Sequence, residues 1–267
     1  MSPAEDVLQR VAELRREINR HNYLYHVADR PEISDEAYDA LLAELRELEE
    51  RYPELVTPDS PTQRVGGAPV TGFPTATHAR PMLSLDSSAK EEDLRAFDAR
   101  VRRIAEPLGV KVAYSLEPKI DGLSVELVYE DGVLVRAVTR GDGVTGEVVT
   151  AGVRTIRSVP LRLLDGTGYP ARLSVRGEIY LPVHAFDDVN AELINEGKQP
   201  FANPRNAAAG TVRQLDVKLV ARRPLRIYCY DVLEGEDGYS TQSELLQALA
   251  TWGFPVNPLN EVADDVE

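Results

Sequence analysis

Two strand-like stretches, Leu123 to Tyr129 and Val133 to Thr139, flank the dipeptide Asp131-Gly132. That dipeptide is among the strongest short-range hairpin signals, because the tight turn that matches strand twist needs positive φ at both central residues. A hairpin commits its strands to antiparallel pairing, so the sheet built on it is not the open parallel sheet of a doubly wound fold. Further strands are expected at Lys111 to Tyr114, Arg172 to Leu181 and Leu225 to Leu233. Helices are expected over Glu91 to Ala105, Val183 to Asn195 and Thr241 to Trp252, the first with Leu94, Phe97, Val101 and Ile104 on one face. The fold class is α+β. The hairpin also removes a decoy. Gly141 to Gly146 matches the Gly-x-Gly-x-x-Gly pattern of dinucleotide-binding folds, but it follows the second arm of a hairpin instead of opening a parallel βαβ unit.

The first fifty residues are organised differently. Val7, Val11, Leu14 and Ile18 recur at spacings of three and four, which predicts an amphipathic helix over residues 4 to about 27. Asp29-Arg30-Pro31 breaks it. Ser34 is placed to cap a second helix, with Ile33 and Tyr38 spaced as a hydrophobic staple and Leu41, Leu42, Leu45 and Leu48 continuing the buried face. Residues 57 to 74, rich in Pro, Gly, Ser and Thr, end this module. The boundary is set near residue 68, giving a helical domain over 1–68 and a mixed domain over 69–267.

Composition narrows the function. With 43% hydrophobic and 28% charged residues, the 267-residue chain reads as globular. It has no apolar run of membrane-spanning length, and its acidic start has no secretory h-region, so the expected compartment is cytoplasmic. A single cysteine, Cys229, excludes an internal disulfide and a cysteine-rich zinc site, and four scattered histidines fit no metal-ligand pattern. No protein-held metal site is expected. The net charge of −14 repels phosphate overall, whereas a domain that grips nucleic acid by itself carries a basic patch. Any DNA role must therefore rest on motifs.

The sharpest motif is Glu117-Pro118-Lys119-Ile120-Asp121-Gly122. A lysine amine attacks phosphorus only when unprotonated and in line. From a reference pKa of about 10.4, the cost of deprotonation at neutral pH is roughly 4–5 kcal/mol, which desolvation, cations or a metal must offset. Glu117 and Asp121 alone favour the ammonium, so their useful roles are to bind adenine or ribose groups, or a metal.

The strings that follow, in order, are Thr139 to Gly143, Thr145 to Glu147, Val175 to Glu178, the decapeptide Phe201 to Gly210, and Arg213 to Asp216. Together with Lys119-x-Asp-Gly they resemble the bacterial NAD+-dependent DNA ligases along nearly the whole chain. The resemblance implies a nucleotidyltransferase domain of the ligase type after a helical module. It makes Lys119 the nucleophile that accepts AMP, with Glu117 beside the adenine and Asp121 near the ribose and the amine. Arg140 and Glu178 line the nucleotide pocket, Ser84 and Leu85 supply backbone close to the nucleotide, and Tyr230 stacks on adenine. Arg205 and Arg213 act later, on the nick phosphate or the adenylated state. NAD+ is the implied cofactor, Mg2+ the implied ion, and nicked double-stranded DNA the partner of a whole enzyme in replication and repair. The chain is expected to be a monomer.

The helical module fits the same reading. Tyr25 and His26 end the first helix, while Asp35, Tyr38 and Asp39 share a face at the start of the second. A short connection folds the helices antiparallel and brings together two carboxylates, two phenols and an imidazole. That set suits a cationic pyridinium with its ribose. The resemblance assigns it to the nicotinamide mononucleotide (NMN) half of NAD+. One departure matters: two later lysine-containing strings of the family do not occur before Glu267, so cationic help for Lys119 is reduced and self-adenylation is expected to be weak. The competing readings are a non-catalytic NAD+- or NMN-binding module and an ATP-dependent relative, the latter opposed by the Tyr25/His26/Asp35/Tyr38/Asp39 set.

Overall fold

The computed structural model describes residues 5–28, 30–64, 72–84, 87–88, 90–235 and 238–266, with the backbone but not the side chain of residue 35. The expected boundary near residue 68, the side chain of Asp35, and Leu85 lie outside the described residues.

Helices α1 (Glu5–His26) and α2 (Asp35–Arg51) form the N-terminal hairpin. Ser34 caps α2 as expected, its hydroxyl accepting from the Ala37 amide at 3.3 Å. Val11, Leu14, Ile18 and Leu45 make a small core of their own, flanked by Tyr38, Leu41, Leu42 and Leu48. Each fully buried leucine or isoleucine contributes roughly 1.5–3 kcal/mol. The buried Glu49 carboxylate is satisfied by Arg15 at 2.6 Å, by Ser60 at 2.7 Å and by Thr62. The chain then hooks onto the second domain. The Arg64 guanidinium donates to the carbonyls of Arg154, Ile156 and Val159, and Arg162 reaches Asp59 at 2.7 Å. Burial pushes the Arg64 guanidinium down to about 10.

After β1 (Thr75–Thr77) and α3 (Glu91–Ala105) come β2 (Tyr114–Leu116), β3 (Leu123–Glu130), β4 (Val133–Thr139), β5 (Thr145–Glu147) and the short α4 (Thr150–Val153). Next are β6 (Arg172–Tyr180), α5 (Val183–Asn195), α6 (Pro204–Val212), α7 (Val217–Ala221), β7 (Arg226–Glu234), α8 (Gln242–Trp252) and β8 (Glu261–Ala263). The main sheet runs β4-β3-β6-β7, every neighbour antiparallel, which bears out the α+β class. Asp131 and Gly132 turn the hairpin with φ of 47° and 76°, the paired positive values that the dipeptide predicts. One face of this sheet enters the core: Val125, Leu127, Tyr129, Val175, Ile179, Ile227 and Cys229 join Ala207, Ala208, Val212, Val220, Leu249 and Trp252. The opposite face is left for polar side chains.

One expectation is corrected, and two further features take shape. The strand placed at Lys111 to Tyr114 starts later, at Tyr114, because its register is set by distant β8: Tyr114 pairs with Ala263 and Leu116 with Glu261. The apolar face of α3 forms as a helix face but stays open, with Leu94 48%, Phe97 42% and Ile104 62% exposed. The glycine string at 141–146 leads into strand β5, not a helix, through a turn in which the Asp142 carboxylate accepts from the amides of Val144 and Thr145 at 2.9 and 2.8 Å. Among the described residues no helix is long and apolar enough to cross a membrane.

Candidate functional site

Along a strand, alternate side chains point to opposite faces, so the open face of the main sheet collects Ser124, Arg176, Glu178, Tyr228 and Tyr230. Register places Ser124 opposite Glu178, and Glu178 opposite Tyr228. The Tyr230 hydroxyl lies 3.2 Å from Ser124 Oγ and donates to Glu178 Oε2 at 3.4 Å. The Arg176 guanidinium sits 5.5 Å from the centre of the Tyr230 ring, within cation–π range. Burial raises the Glu178 carboxyl above its ordinary range, and the charge of Lys119, the Ser124 hydroxyl, Arg176 and Arg205 pull it back. The Tyr230 phenol is also raised, chiefly by burial.

Lys119 stands on the connection from β2 to β3, exposed beside this cluster. The connection can press against β6 because residue 122 is glycine: a Cβ there would lie 2.1 Å from the Ile179 carbonyl oxygen. Asp121 is 3.7 Å from Arg205, and Glu117 accepts from the Ser115 hydroxyl at 3.1 Å. Arg205 is delivered by α6, whose start explains part of the long decapeptide. Asn203 caps the helix by accepting from the Asn206 amide at 2.8 Å, and Pro204 fills its first turn. Arg213, at the end of α6, donates to Glu147 at 2.8 Å.

A strap of residues 78–84 crosses the far edge of the same face. Met82 donates its amide to the Gly143 carbonyl at 2.7 Å, and His78 donates its amide to that of Val144 at 2.9 Å. Arg140 reaches up to the strap, donating to the Met82 carbonyl at 3.2 Å and to Ser84 Oγ at 2.6 Å. The structure thus brings Lys119, Asp121, Glu178, Arg205 and Tyr230 to one side of the sheet, with Arg140 and Ser84 at its rim.

A second site lies on the helical module. Tyr25, His26, Tyr38 and Asp39 line a cavity of about 280 Å³. The Tyr25 and His26 rings meet edge to face, 4.7 Å between centres, and the Tyr38 hydroxyl donates to Asn22 Oδ1 at 2.9 Å. Desolvation, aided by the charges of Arg157, Arg64 and Arg226, pushes the His26 imidazole down to about 4. It is therefore neutral at neutral pH and does not repel a cationic ring. Sequence reasoning missed several lining residues, among them His21, Asn22 and Arg157. His21 Nδ1 and Asn22 Nδ2 are buried without a partner. The helical spacing from Asn22 to His26 could have flagged Asn22. Nothing local could have flagged Arg157, which arrives from the second domain.

Among the described residues no group of three or more His, Cys, Asp or Glu side chains is arranged to hold a metal. A magnesium ion carried on a substrate phosphate needs no such cage, only one or two carboxylates, and Glu117 and Asp121 flank Lys119 with exposed ones.

Comparison with known proteins gives two adjoining matches. Residues 4–66 match a DNA ligase-like, N-terminal NAD+-binding domain. Residues 70–267 match the NAD-dependent DNA ligase adenylation domain. Among curated proteins, the DNA ligase of Geobacter metallireducens is 55% identical over 254 residues, covering 94% of this chain and 38% of that protein. The DNA ligase of Hahella chejuensis is 50% identical over 257 residues (95% and 37%). That of Azotobacter vinelandii is 50% identical over 269 residues (100% and 34%). The chain spans a little over a third of the length of these relatives.

Proposed function

Since this chain belongs to the NAD+-dependent DNA ligase family, we propose that it transfers the adenylyl group of NAD+ to Lys119 and releases NMN. The helical module, over about 1–68, holds the NMN half through Tyr25, His26, Asp35, Tyr38 and Asp39. The adenosine half lies on the sheet face of the second domain, 69–267. There Tyr230 stacks on adenine, Glu117 sits beside it, Glu178 accepts from ribose hydroxyls and Asp121 lies near the ribose. Arg140 lines the pocket, with Ser84 and Leu85 supplying backbone. The observation that carries this reading is the pairing, in one chain, of a lysine beside a Tyr–Glu–Arg cluster with a preformed aromatic and polar cavity on a separate helical unit.

The step itself is a substitution at phosphorus. The unprotonated Lys119 Nζ attacks the adenylyl phosphorus, an N–P bond forms, and the P–O bond to NMN breaks. The amine's remaining excess proton passes to solvent. Arg140, at the rim of the pocket, is the fixed cation set to face the charge that gathers on the phosphate oxygens, which is where fixed cations lower a barrier most. Mg2+ carried on the substrate phosphate would supply further charge neutralisation, with Asp121 as the carboxylate beside the attacking amine. In the whole ligase, AMP passes on to the 5′-phosphate of nicked DNA, and Arg205 and Arg213 serve those later steps. A cytoplasmic, monomeric protein working in replication and repair completes the reading.

A second reading, reversible NAD+ or NMN binding without chemistry, is favoured by one observation. The charge that acts most strongly on the buried Glu178 carboxyl is that of Lys119, so the amine shares its surroundings with an acid. Incubation with NAD+ labelled in its adenylate half, with Mg2+, separates the two. Slow covalent labelling that survives denaturation supports the transfer; label that washes away entirely supports the binding module.

A further inference from the structure

The least explained feature is a fully buried histidine–glutamate contact on the sheet face, outside the set assigned to the nucleotide. His78 and Glu126 side chains are both 0% exposed, with Nδ1 and Oε2 2.6 Å apart. The other carboxylate oxygen, Oε1, accepts from the Ser174 hydroxyl at 2.5 Å and from the Ala79 amide at 3.2 Å. At the far side of the ring, Nε2 lies 3.0 Å from the Arg140 carbonyl oxygen. A carbonyl only accepts, so Nε2 carries a hydrogen. One further proton then lies between Nδ1 and Oε2. Imidazole is the stronger base of the two, and two donors, Ser174 and Ala79, converge on the carboxylate, which favours its ionised form. The charged groups around it include Asp142, in the turn after Arg140, Arg172 on β6, and Arg136 and Glu234, which line the same cavity as the pair.

The position of this pair gives it a task. The ring clamps the backbone of Arg140, whose side chain holds Met82 and Ser84. Glu126 clamps Ala79, in the strap that leads to Ser84. The strap and the Arg140 turn are thus tied together twice, once beneath by His78–Glu126 and once above by the guanidinium. We infer that His78 and Glu126 form an imidazolium–carboxylate pair that positions Arg140 and Ser84 for the nucleotide, which makes them positioning residues for NAD+ binding. This rests on the reading of the sheet face as the adenosine site.

Two measurements on the full chain test it. Long-range 1H–15N NMR at neutral pH is expected to show protons on both His78 ring nitrogens; a bare nitrogen overturns the ionic pair. Calorimetric NAD+ titration of His78→Ala, Arg140→Ala and the double variant reads the positioning. Loss of a charge-assisted bond predicts about tenfold weaker binding for His78→Ala, and Arg140→Ala is expected to cost far less in that background than alone. Additive losses, the mark of unconnected roles, overturn the positioning. Should His78→Ala fail to fold, the neutral pair His78→Gln/Glu126→Gln takes its place in the cycle. Absence of NAD+ binding by the unaltered chain would instead sink the adenosine-site reading, and the NMR result would still decide the ion pair.

Discussion

The two candidate sites hold their polar groups in opposite states of engagement. In the helical module, His21 Nδ1 and Asn22 Nδ2 are buried and unpartnered around a formed cavity. On the sheet face the polar groups are already engaged: Arg140 with Ser84, Arg213 with Glu147, Arg205 with Asp121, and Tyr230 with Glu178. A buried polar group without a partner has bonding capacity to spare, whereas engaged ones exchange one partner for another at small net gain. The module therefore keeps polar groups in reserve, and the sheet face presents polar groups that must change partners before they can meet a ligand.

Breaking each side of this comparison should have effects of very different size. The largest is chemical: Lys119→Ala is expected to abolish covalent adenylate while leaving reversible NAD+ binding within about threefold, because the amine is not needed to hold the ligand. Labelling and calorimetry on the same sample check both halves. Next comes the module. Tyr38→Ala removes an aromatic wall and releases Asn22, and should weaken NMN binding by about tenfold to a hundredfold. AMP binding measured in parallel should not change; an equal loss for both ligands would mean that the two sites are not separate.

His26 sharpens the contrast through pH. Its lowered value means that the unfolded chain takes up a proton below about 6.5 while the folded one resists until about 4. Stability from this group is fully present above pH 6.5 and is lost as pH falls toward 4. With solvent screening of a partly exposed ring, the loss is about 1–2 kcal/mol. Denaturant unfolding at pH 7 and pH 4.5 should show a smaller drop for His26→Gln than for the unaltered chain. The smallest effect belongs to the sheet face. Glu147→Gln frees Arg213 from an exposed pair worth about 0–1 kcal/mol, so stability should hardly move, and any strengthening of phosphate binding should stay below about fivefold and vanish at high salt.

How much of this was legible in the chain depends on the range of the cause. Ser34, the Asp131-Gly132 turn and the helix from Val183 to Asn195 are fixed by neighbours in sequence, and they stand where the residue patterns put them. Strands β1, β5 and β8 are three residues each and exist through distant partners, Thr75 with Glu147 and Tyr114 with Ala263, so no local pattern announces them. Helix α6 hides for another reason. It buries alanines, Ala207 and Ala208 at 0% exposure, and small residues give no apolar rhythm. The sites divide in the same way. Strand alternation could have grouped Arg176 with Glu178, and the resemblance singled out Lys119 and Tyr230. Arg157 joins His26 only through the way that Arg64 and Asp59 dock the module, a contact written in no single segment.

Mass spectrometry of the intact chain after incubation with NAD+ and Mg2+, followed by peptide mapping, tests the central claim most directly. One adenylyl group on the peptide holding Lys119, absent from the Lys119→Ala variant, is the predicted result. An unmodified chain at saturating NAD+, or an adenylyl group that persists in the variant, would contradict it.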